Sequence, residues 1–202
     1  MKKDNSTLRL KIGLRREVLL RMEEEELAPV VMETHGGLGK VGDACYAEVP
    51  AGVVFEKDPE KAALLARKRP TWSVWESDCV RSLRNGVGAH LAVNLLDVDP
   101  YGDPWPVFDA FFDSERPRAP VLWVAVNDGL GRWIRGGHAW KSPSLKTVVA
   151  KHGNDLYGKY LEIAKELLAE KALTVGYRVT SYAAYWVFGK GDKSHYSARL
   201  ER

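Results

Sequence analysis

Short apolar runs alternate with helical patterns along the first two thirds of the chain. Five mostly apolar runs end at a polar or acidic position, and they predict β-strands at residues 29–34, 52–58, 71–78, 90–99 and 121–128. Between them, apolar residues recur at helical spacing, as in the stripe from Leu14 to Leu27 and in residues 59–69, which begin with a proline. Continuous apolar strands joined by crossover helices are typical of a parallel sheet that is covered on both faces.

The last third of the chain departs from this alternation. Residues 156–168 carry an amphipathic helical stripe. Two strand patterns follow at 173–179 and 183–189, and residues 180–182 between them are too few for a crossover, so they predict an antiparallel hairpin. We expect the first of these strands at the sheet edge and the second inserted inside the sheet. The predicted fold is therefore α/β, a three-layer sandwich around a seven-stranded, mostly parallel sheet whose last strand is antiparallel.

Acidic side chains end most of the predicted strands. Ligands of parallel α/β sheets bind beyond the carboxyl ends of the strands, so these side chains are expected to meet at one rim. The acids concerned are Glu33, Glu56, Asp78, Asp97, Asp99 and Asp128. A cluster of acids is costly inside a core but acceptable at a rim that is open to a ligand. The rim is therefore the predicted site.

A glycine cluster follows the first predicted strand, in the sequence ETHGGLG. Gly36, Gly37 and Gly39 permit positive φ angles and let a ligand approach the backbone, at the start of a helix whose amides favour negative groups. The overlapping stretch GLGKVG also satisfies the G-x-G-x-x-G pattern, with Glu56 close to the spacing of a dinucleotide-binding acid. An NAD-dependent oxidoreductase with a Rossmann fold is therefore an alternative. A P-loop is excluded because valine follows the lysine of this stretch.

The fourth predicted strand runs into the sequence DPYG, from Asp99 to Gly102. Asp-Pro and Tyr-Gly are ordinary turn dipeptides, so in isolation a simple turn explains them. At the end of a strand they also suit the amino group of a nucleobase, whose lone pair is delocalised into the ring. The Asp99 carboxylate and the Pro100 carbonyl would accept its two N–H groups and aim the nitrogen lone pair, and Tyr101 would stack on the base.

Together these motifs resemble the class I S-adenosylmethionine-dependent methyltransferases, a Rossmann-like family whose last strand runs antiparallel, and the resemblance covers residues 30–190. DPYG resembles the [DN]-P-P-[YF] signature of enzymes that methylate amino nitrogens, and DVDPYGDPWP is similar to the corresponding stretch of tRNA guanine-N2 dimethyltransferases. The resemblance implies S-adenosyl-L-methionine as cofactor, a ribose-binding acid at Glu56 and an adenine-binding acid at Asp78. The implied cofactor-binding positions are Glu33, Thr34, His35, Gly36, Gly37, Gly39, Glu56, Lys57, Asp78, Cys79 and Asp97. The implied catalytic positions are Asp99, Pro100, Tyr101 and Gly102.

Charge and composition indicate whether the chain could bind a nucleic acid. The chain has 202 residues and a formal net charge of +3, which is compatible with a polyanionic partner without requiring one. Residues 129–153 interleave basic side chains with tryptophans, Trp140 among them, a pattern that suits a stacked, phosphate-bearing strand but also a solvated surface segment. The substrate-binding candidates are Arg132, Trp133 and Arg135 in this segment, and Trp105 after the DPYG motif.

Other classes of site and location are disfavoured. Cys45 and Cys79 form no CxxC pair and the five histidines lack ligand spacing, which argues against a metal site and against a disulfide framework. The sequence shows neither a run that is long and apolar enough for a membrane span nor a signal-peptide pattern. We therefore expect a cytoplasmic protein with reduced thiols and no membrane partner.

The sequence thus predicts an N-terminal basic arm and helix over residues 1–28 and a single methyltransferase domain over residues 29–202. The predicted activity is methyl transfer from S-adenosyl-L-methionine to an amino nitrogen, on a base in tRNA or another nucleic acid, RNA or DNA. Two alternatives stay open: the NAD-dependent oxidoreductase, and a protein that binds nucleic acid on this fold without catalysis. An oligomer is compatible with the sequence.

Overall fold

The computed structural model describes residues 7–135, 143–152, 156–187 and 193–202. The strands in these ranges are β1 (Val31–Glu33), β2 (Gly52–Glu56), β3 (Ser73–Glu76), β4 (Leu95–Val98), β5 (Val121–Asp128), β6 (Arg178–Val187) and β7 (Lys193–Glu201). The helices are α1 (Leu8–Glu24), α2 (Lys40–Cys45), α3 (Pro59–Lys68), α4 (Cys79–Arg84), α5 (Trp105–Asp113), α6 (Gly131–Arg135), α7 (Pro143–His152) and α8 (Tyr160–Leu173).

These strands form one seven-stranded sheet in the order β3-β2-β1-β4-β5-β7-β6. Strands β1 to β5 pair in parallel, and β7 pairs antiparallel with β5 on one side and with β6 on the other. The predicted α/β fold with its single antiparallel strand is confirmed. The order differs from the six-stranded dinucleotide-binding sheet, in which no antiparallel strand is inserted. The sheet therefore does not favour the oxidoreductase alternative.

The terminal hairpin lies further along the chain than predicted. Residues 180–182, predicted as its turn, lie inside β6, and residues 188–192, which connect the two strands, lie outside the described residues. The predicted strand at 173–179 is instead the end of α8 followed by a turn, with β6 starting at Arg178. The inserted strand is the polar sequence KSHYSARLE, whose residues 194–198 are nevertheless buried. Pairing on both edges satisfies its backbone, and its side chains are buried because helices such as α1 and α6 pack on the faces of the sheet.

Apolar clusters cover the two faces of the sheet. On one face, α5 and α8 contribute Phe108 and Leu168 to a cluster that includes Val124 of β5. On the other, Val18 and Met22 of α1 belong to a cluster with Leu95 of β4. Each such side chain contributes about 1.5–3 kcal/mol when it is fully buried. Helix α1 therefore packs on the sheet as part of the same body as the strands.

Two helices begin just after the strands that end at the rim, and an aspartate caps the N-terminus of each. Asp58 accepts hydrogen bonds from the backbone N–H groups of Glu60 and Lys61 at the start of α3, and Pro59 takes the first helical position. Asp78 accepts from the backbone N–H of Arg81 at the start of α4. These caps place helix N-termini beside the ends of β2 and β3. None of the described helices has the length and hydropathy needed to cross a bilayer.

Candidate active site

Several of the acids that end the strands influence the pKa of one imidazole. His35 follows β1, and its pKa is lowered by burial, while the carboxylates of Asp99, Glu56, Asp78 and Asp97 act in the opposite direction. In the register of the sheet, Glu33 stands opposite Val54 of β2 and Asp97 of β4, and Glu56 stands opposite Glu76 of β3. The structure therefore brings the ends of β1 to β4 together at one rim, as the topology predicts.

Glu56 organises the glycine loop after β1. One of its carboxylate oxygens accepts from the backbone N–H of Gly37 at 2.8 Å, and the other accepts from the N–H of Asp58 at 2.9 Å. Gly37 has a φ of +55°, and a Cβ there would meet nothing within 4 Å. At Gly36, by contrast, a Cβ would lie 2.5 Å from Leu65. The loop therefore leaves open space beside a half-buried carboxylate, an arrangement that fits a ligand carrying hydroxyl groups.

A chain of hydrogen bonds crosses the rim through His35. The hydroxyl of Thr34 donates to the carbonyl of Asp97 at 3.0 Å, so the contact of 2.9 Å between Thr34 Oγ1 and His35 Nδ1 requires the ring N–H as donor. His35 Nε2 is then the acceptor for the thiol of Cys79, whose Sγ lies 3.6 Å away. Burial raises the pKa of Cys79 to about 12, which keeps it a thiol donor. The chain links the first turn of α4 to the end of β4.

Two of the predicted cofactor acids lie below the rim, paired with arginines. Arg69 forms an ion pair with Glu33, whose pKa is raised to about 7 by burial despite this partner. Arg15 of α1 donates to Asp97 from Nη2 at 2.5 Å and from Nε at 3.1 and 3.2 Å, and the hydroxyl of Tyr46 donates to it at 2.7 Å. These carboxylates hold the framework together through Arg69, Arg15 and Tyr46, and their contact with the cofactor stays a prediction.

The outer rim carries the other predicted cofactor positions. Lys57 and Asp78 are exposed, and Cys79 is buried as the first residue of α4. One oxygen of Asp78 serves as the cap of that helix. Gly39 precedes α2 with a φ of +77° and completes the loop. Lys57, Asp78 and Cys79 thus follow β2 and β3 at the edge of the sheet where Gly37 follows β1.

Asp99 lies where β4 ends and accepts hydrogen bonds from two other elements. Nζ of Lys11 is 2.7 and 2.8 Å from its two carboxylate oxygens, and Nδ2 of Asn127 is 2.7 Å from one of them. Burial would raise the pKa of Asp99, but Lys11 and Arg15 outweigh it and hold this pKa below its usual range. The carboxylate is therefore ionised and already bound to N–H groups. Sequence patterns indicated Lys11 only as one basic residue of the N-terminal arm, and they placed neither Lys11 nor Asn127 beside Asp99.

The rest of the DPYG stretch is held against the end of β5. The backbone N–H of Gly129 donates to the carbonyl of Gly102 at 2.9 Å, and a Cβ on Gly129 would lie 2.8 Å from the Cα of Gly102. Gly102 has a φ of +119°, a conformation that favours glycine. Pro100 is buried, whereas Tyr101 is 93% exposed. The stretch thus presents a ring to solvent directly beside Asp99.

Trp105 and Asp128 belong to the core, contrary to their predicted places in the site. Trp105 is fully buried, and its indole N–H donates to the hydroxyl of Tyr160 at 3.1 Å. That hydroxyl donates in turn to Asp128 at 2.6 Å. Burial raises the pKa of Asp128 to about 7. Trp105 therefore supports α5 from inside and offers no surface on which a base could stack.

A basic and aromatic surface follows the end of β5. Arg132, Trp133 and Arg135 of α6 are exposed, as the substrate-binding prediction requires. The guanidinium of Arg135 lies 4.6 Å from the centre of the Tyr157 ring, which is stacked on Trp186 at 4.7 Å. Cationic and aromatic faces are thus combined on one surface, close to the DPYG stretch. Trp140 of the same basic segment lies outside the described residues.

One curated relative resembles part of the sequence. No family model matches the chain. The tRNA (guanine(26)-N(2))-dimethyltransferase of Thermoplasma volcanium is 28% identical over 115 residues. The match covers 57% of this chain and 33% of the relative, so the chain spans about a third of that protein's length.

Solved structures resemble nearly the whole chain. Trm1 from Pyrococcus horikoshii, in complex with S-adenosyl-L-methionine, matches with a TM-score of 0.67 and 14% identity, over 96% of this chain and 55% of that one. TYW2 from M. jannaschii, in complex with AdoMet, matches with a TM-score of 0.60 and 12% identity, over 100% of this chain and 78% of that one. The N-methyltransferase NodS from Bradyrhizobium japonicum WM9 matches with a TM-score of 0.55 and 14% identity, over 100% and 99%. At these identities the likeness concerns the fold.

Proposed function

Because the chain has the fold of the class I S-adenosylmethionine-dependent methyltransferases, we propose that it transfers a methyl group from S-adenosyl-L-methionine to the exocyclic amino nitrogen of a base in RNA. The observation that carries the proposal is Asp99, an ionised carboxylate at the end of β4 that holds N–H donors beside the exposed ring of Tyr101. The curated relative acts on guanine N2 of tRNA, as its name states, which makes guanine N2 the first candidate.

The residues at the glycine loop fit the cofactor. The Glu56 carboxylate has lone pairs beyond those used by Gly37 and Asp58, and a carboxylate is the group that accepts from two vicinal hydroxyls, here those of the ribose. The open space at Gly37 lets the backbone approach the amino-acid portion, and Asp78 and Cys79 would border the adenine. When bound, S-adenosyl-L-methionine supplies the electrophilic methyl group on its sulfonium.

Asp99 and its neighbours would prepare the acceptor. The Asp99 carboxylate and the Pro100 carbonyl would accept the N–H groups of the base amine, which concentrates the lone pair on nitrogen and fixes its direction. Lys11 and Arg15 keep Asp99 ionised, so it would also accept the proton that the amine loses on transfer. In the structure, the ammonium of Lys11 donates to both oxygens of this carboxylate. The acceptor amine would replace the ammonium as the donor.

The basic surface at α6 would hold the rest of the RNA. Arginine side chains contact phosphates, and aromatic rings provide stacking faces for unpaired bases. Arg132, Trp133 and Arg135 lie one short turn after β5, on the side of the sheet that carries Gly102. An RNA strand bound there could place a flipped base beside Tyr101.

The proposal is tested by incubating the protein with labelled S-adenosyl-L-methionine and total RNA, with DNA in parallel, followed by nucleoside analysis. Label in N2-methylated guanosine from RNA is expected. Label on an oxygen or carbon atom, or in DNA alone, would contradict the proposed acceptor. RNA binding without any incorporation would favour the non-catalytic alternative, and thermal stabilisation by NAD but not by S-adenosyl-L-methionine would favour the oxidoreductase.

A further inference from the structure

Buried polar atoms without a hydrogen-bond partner lie beside Asp99. In the part of the chain that the structure describes, Oδ1 of Asn127 and both ring nitrogens of His195 make no hydrogen bond. Their residues are only 2% and 0% exposed. Buried polar groups nearly always have a partner, and leaving one unpaired is costly. These atoms therefore indicate that a ligand completes the site.

The two side chains are neighbours, and their orientations are fixed. Asn127 of β5 and His195 of β7 stand directly opposite each other in the antiparallel register, so they project from the same face of the sheet. Nδ2 of Asn127 donates to Asp99 at 2.7 Å, which leaves Oδ1 as the free end of that amide. The ring of His195 is stacked on Tyr185, with centroids 5.5 Å apart and planes at 18°. Asp99, Asn127 and His195 thus form a row across three adjacent strands.

The row offers a definite pattern of acceptors and donors. Burial lowers the pKa of His195 to about 4, and Arg15 and Lys11 act in the same direction, so the ring is neutral near pH 7. A neutral imidazole carries one N–H donor and one acceptor nitrogen. Across the sheet the row therefore offers an acceptor on Asp99, an acceptor on Asn127, and one donor and one acceptor nitrogen on the neutral ring of His195.

We propose, on the basis of the function proposed above, that Asn127 and His195 determine which base the enzyme accepts. Asn127 Oδ1 accepts the ring N–H next to the reacting amine, and His195 donates to the ring carbonyl beyond it. A base that carries amine, ring N–H and carbonyl along one edge satisfies the whole row. The amine-bearing edges of adenine and cytosine place a ring acceptor nitrogen next to the amine, so it would face Asn127 Oδ1 and leave it unpaired.

Access to the row involves α1. This helix contacts both β5 and β7, and the carbonyl of Leu10 in its first turn lies 3.5 Å from the hydroxyl of Tyr185. Lys11 of the same helix binds Asp99. In this proposal, the base would reach Asn127 and His195 after the ammonium of Lys11 leaves the Asp99 carboxylate.

The test compares two acceptors in otherwise identical RNA oligonucleotides, one with guanine and one with 2-aminopurine at the modified position. The analogue keeps the exocyclic amine and lacks both the ring N–H and the carbonyl. The wild-type protein is expected to favour guanine by about 100-fold or more in kcat/KM, because the analogue leaves buried groups unpaired. In His195→Phe, which keeps a ring to stack on Tyr185, the preference is expected to fall at least about tenfold, through slower transfer to guanine alone.

Two controls accompany this variant. His90→Phe makes the same change at an exposed histidine and should keep the wild-type preference. His195→Gln retains an N–H donor and should recover part of it. Calorimetric binding of S-adenosyl-L-methionine to each variant checks that the fold is intact.

The outcomes separate this inference from the function on which it rests. If guanine is methylated but His195→Phe keeps the wild-type preference, or loses activity equally on both acceptors, the assignment of His195 is overturned and the proposed function stands. If the wild-type protein binds S-adenosyl-L-methionine and methylates neither acceptor, the proposed function fails and the inference falls with it.

Discussion

Nζ of Lys11 lies 2.7 and 2.8 Å from the two carboxylate oxygens of Asp99, although 88 positions separate the two residues in the chain. The contact joins the first helix to the DPYG stretch. The ammonium holds the place that an amine acceptor would take, and it also keeps the carboxylate ionised. Lys11 therefore has two opposing influences on the proposed reaction, and a variant separates them.

Lys11→Met removes the ammonium and keeps an unbranched side chain. The KM for RNA is expected to fall about two- to fivefold, the equivalent of a weak, partly exposed ion pair. Because Lys11 lowers the pKa of Asp99, the acid limb of the kcat/KM profile should move to higher pH in the variant. Arg9→Met, an exposed position on the same helix, is the control. Loss of kcat with unchanged KM would instead assign Lys11 to the chemical step.

Asp99→Asn keeps the shape of the side chain and removes its charge. Transfer is expected to fall by about 10²–10³-fold because the amine loses its anionic acceptor, while S-adenosyl-L-methionine binds with unchanged affinity. Single-turnover kinetics and calorimetry measure the two effects separately. Asp113→Asn, an exposed acid at the end of α5, serves as control. A loss of cofactor affinity equal to the loss of rate would place Asp99 in cofactor binding.

Glu56→Ala removes the carboxylate that orders the glycine loop and that would bind the ribose. Affinity for S-adenosyl-L-methionine is expected to fall about tenfold or more, as for the loss of a charge-assisted hydrogen bond. Glu76 stands opposite Glu56 in the register of β2 and β3 and is exposed, so Glu76→Ala is the matched control. Equal calorimetric affinities for the two variants would remove Glu56 from the cofactor site.

Asp128 should make the protein less stable as the pH rises. Its pKa is raised to about 7, so between about pH 4 and pH 7 the folded protein keeps a proton that the unfolded chain has released. The free energy of unfolding therefore falls through this window by up to about 1.4 kcal/mol per pH unit. Glu33 contributes a similar slope, so the comparison is with Asp128→Asn, in which denaturant unfolding should show a smaller decline with pH. An identical slope in both proteins would contradict the assigned pKa.

Substitutions of two tryptophans are expected to have opposite effects on stability and on RNA affinity. Trp105→Phe removes the indole donor to Tyr160 in the core and should cost about 1–3 kcal/mol in the free energy of unfolding, with RNA affinity unchanged. Trp133→Ala, on the exposed face of α6, should weaken RNA binding by about 1–3 kcal/mol and leave stability unchanged. Denaturant unfolding and filter binding measure the pair. Weaker RNA binding by a fully stable Trp105→Phe would restore Trp105 to the substrate site.

The sequence predicted the strands better than the short helices. The apolar run at 121–128 coincides with β5, and the other four parallel strands were found with predicted ranges that reach too far. The ranges extend into flanking loops, where polar residues such as Asp58 and Asp78 follow the strands and apolar residues such as Val93 precede them. Helix α5 was missed because its sequence, WPVFDAFFD, is mostly apolar, and its polar stripe consists only of Asp109 and Asp113. Strand β7 was missed for the opposite reason, since small and polar residues carry no strand signal until neighbours enclose them.

The site was predictable where its residues end consecutive strands, and not where it is assembled from distant elements. Asp99 and Glu56 follow apolar runs, so their positions can be inferred from local pattern. Lys11 lies on a helix that resembles a solvated basic arm, and His195 lies on a strand that local pattern did not reveal. Their places beside Asp99 depend on tertiary packing and on the insertion of β7 between β5 and β6.

The ion pair between Arg15 and Asp97 determines where a shortened form of this protein can begin. Both side chains are buried, with exposed fractions of 0% for Arg15 and 1% for Asp97. A chain started at Pro29 would lose the guanidinium and leave Asp97 as a buried anion without its partner, a change that typically costs about 3–5 kcal/mol. For a domain of ordinary stability, that is a large part of the whole margin. Recombinant versions should therefore start upstream of Leu8, and the first helix counts as framework and not as a removable extension.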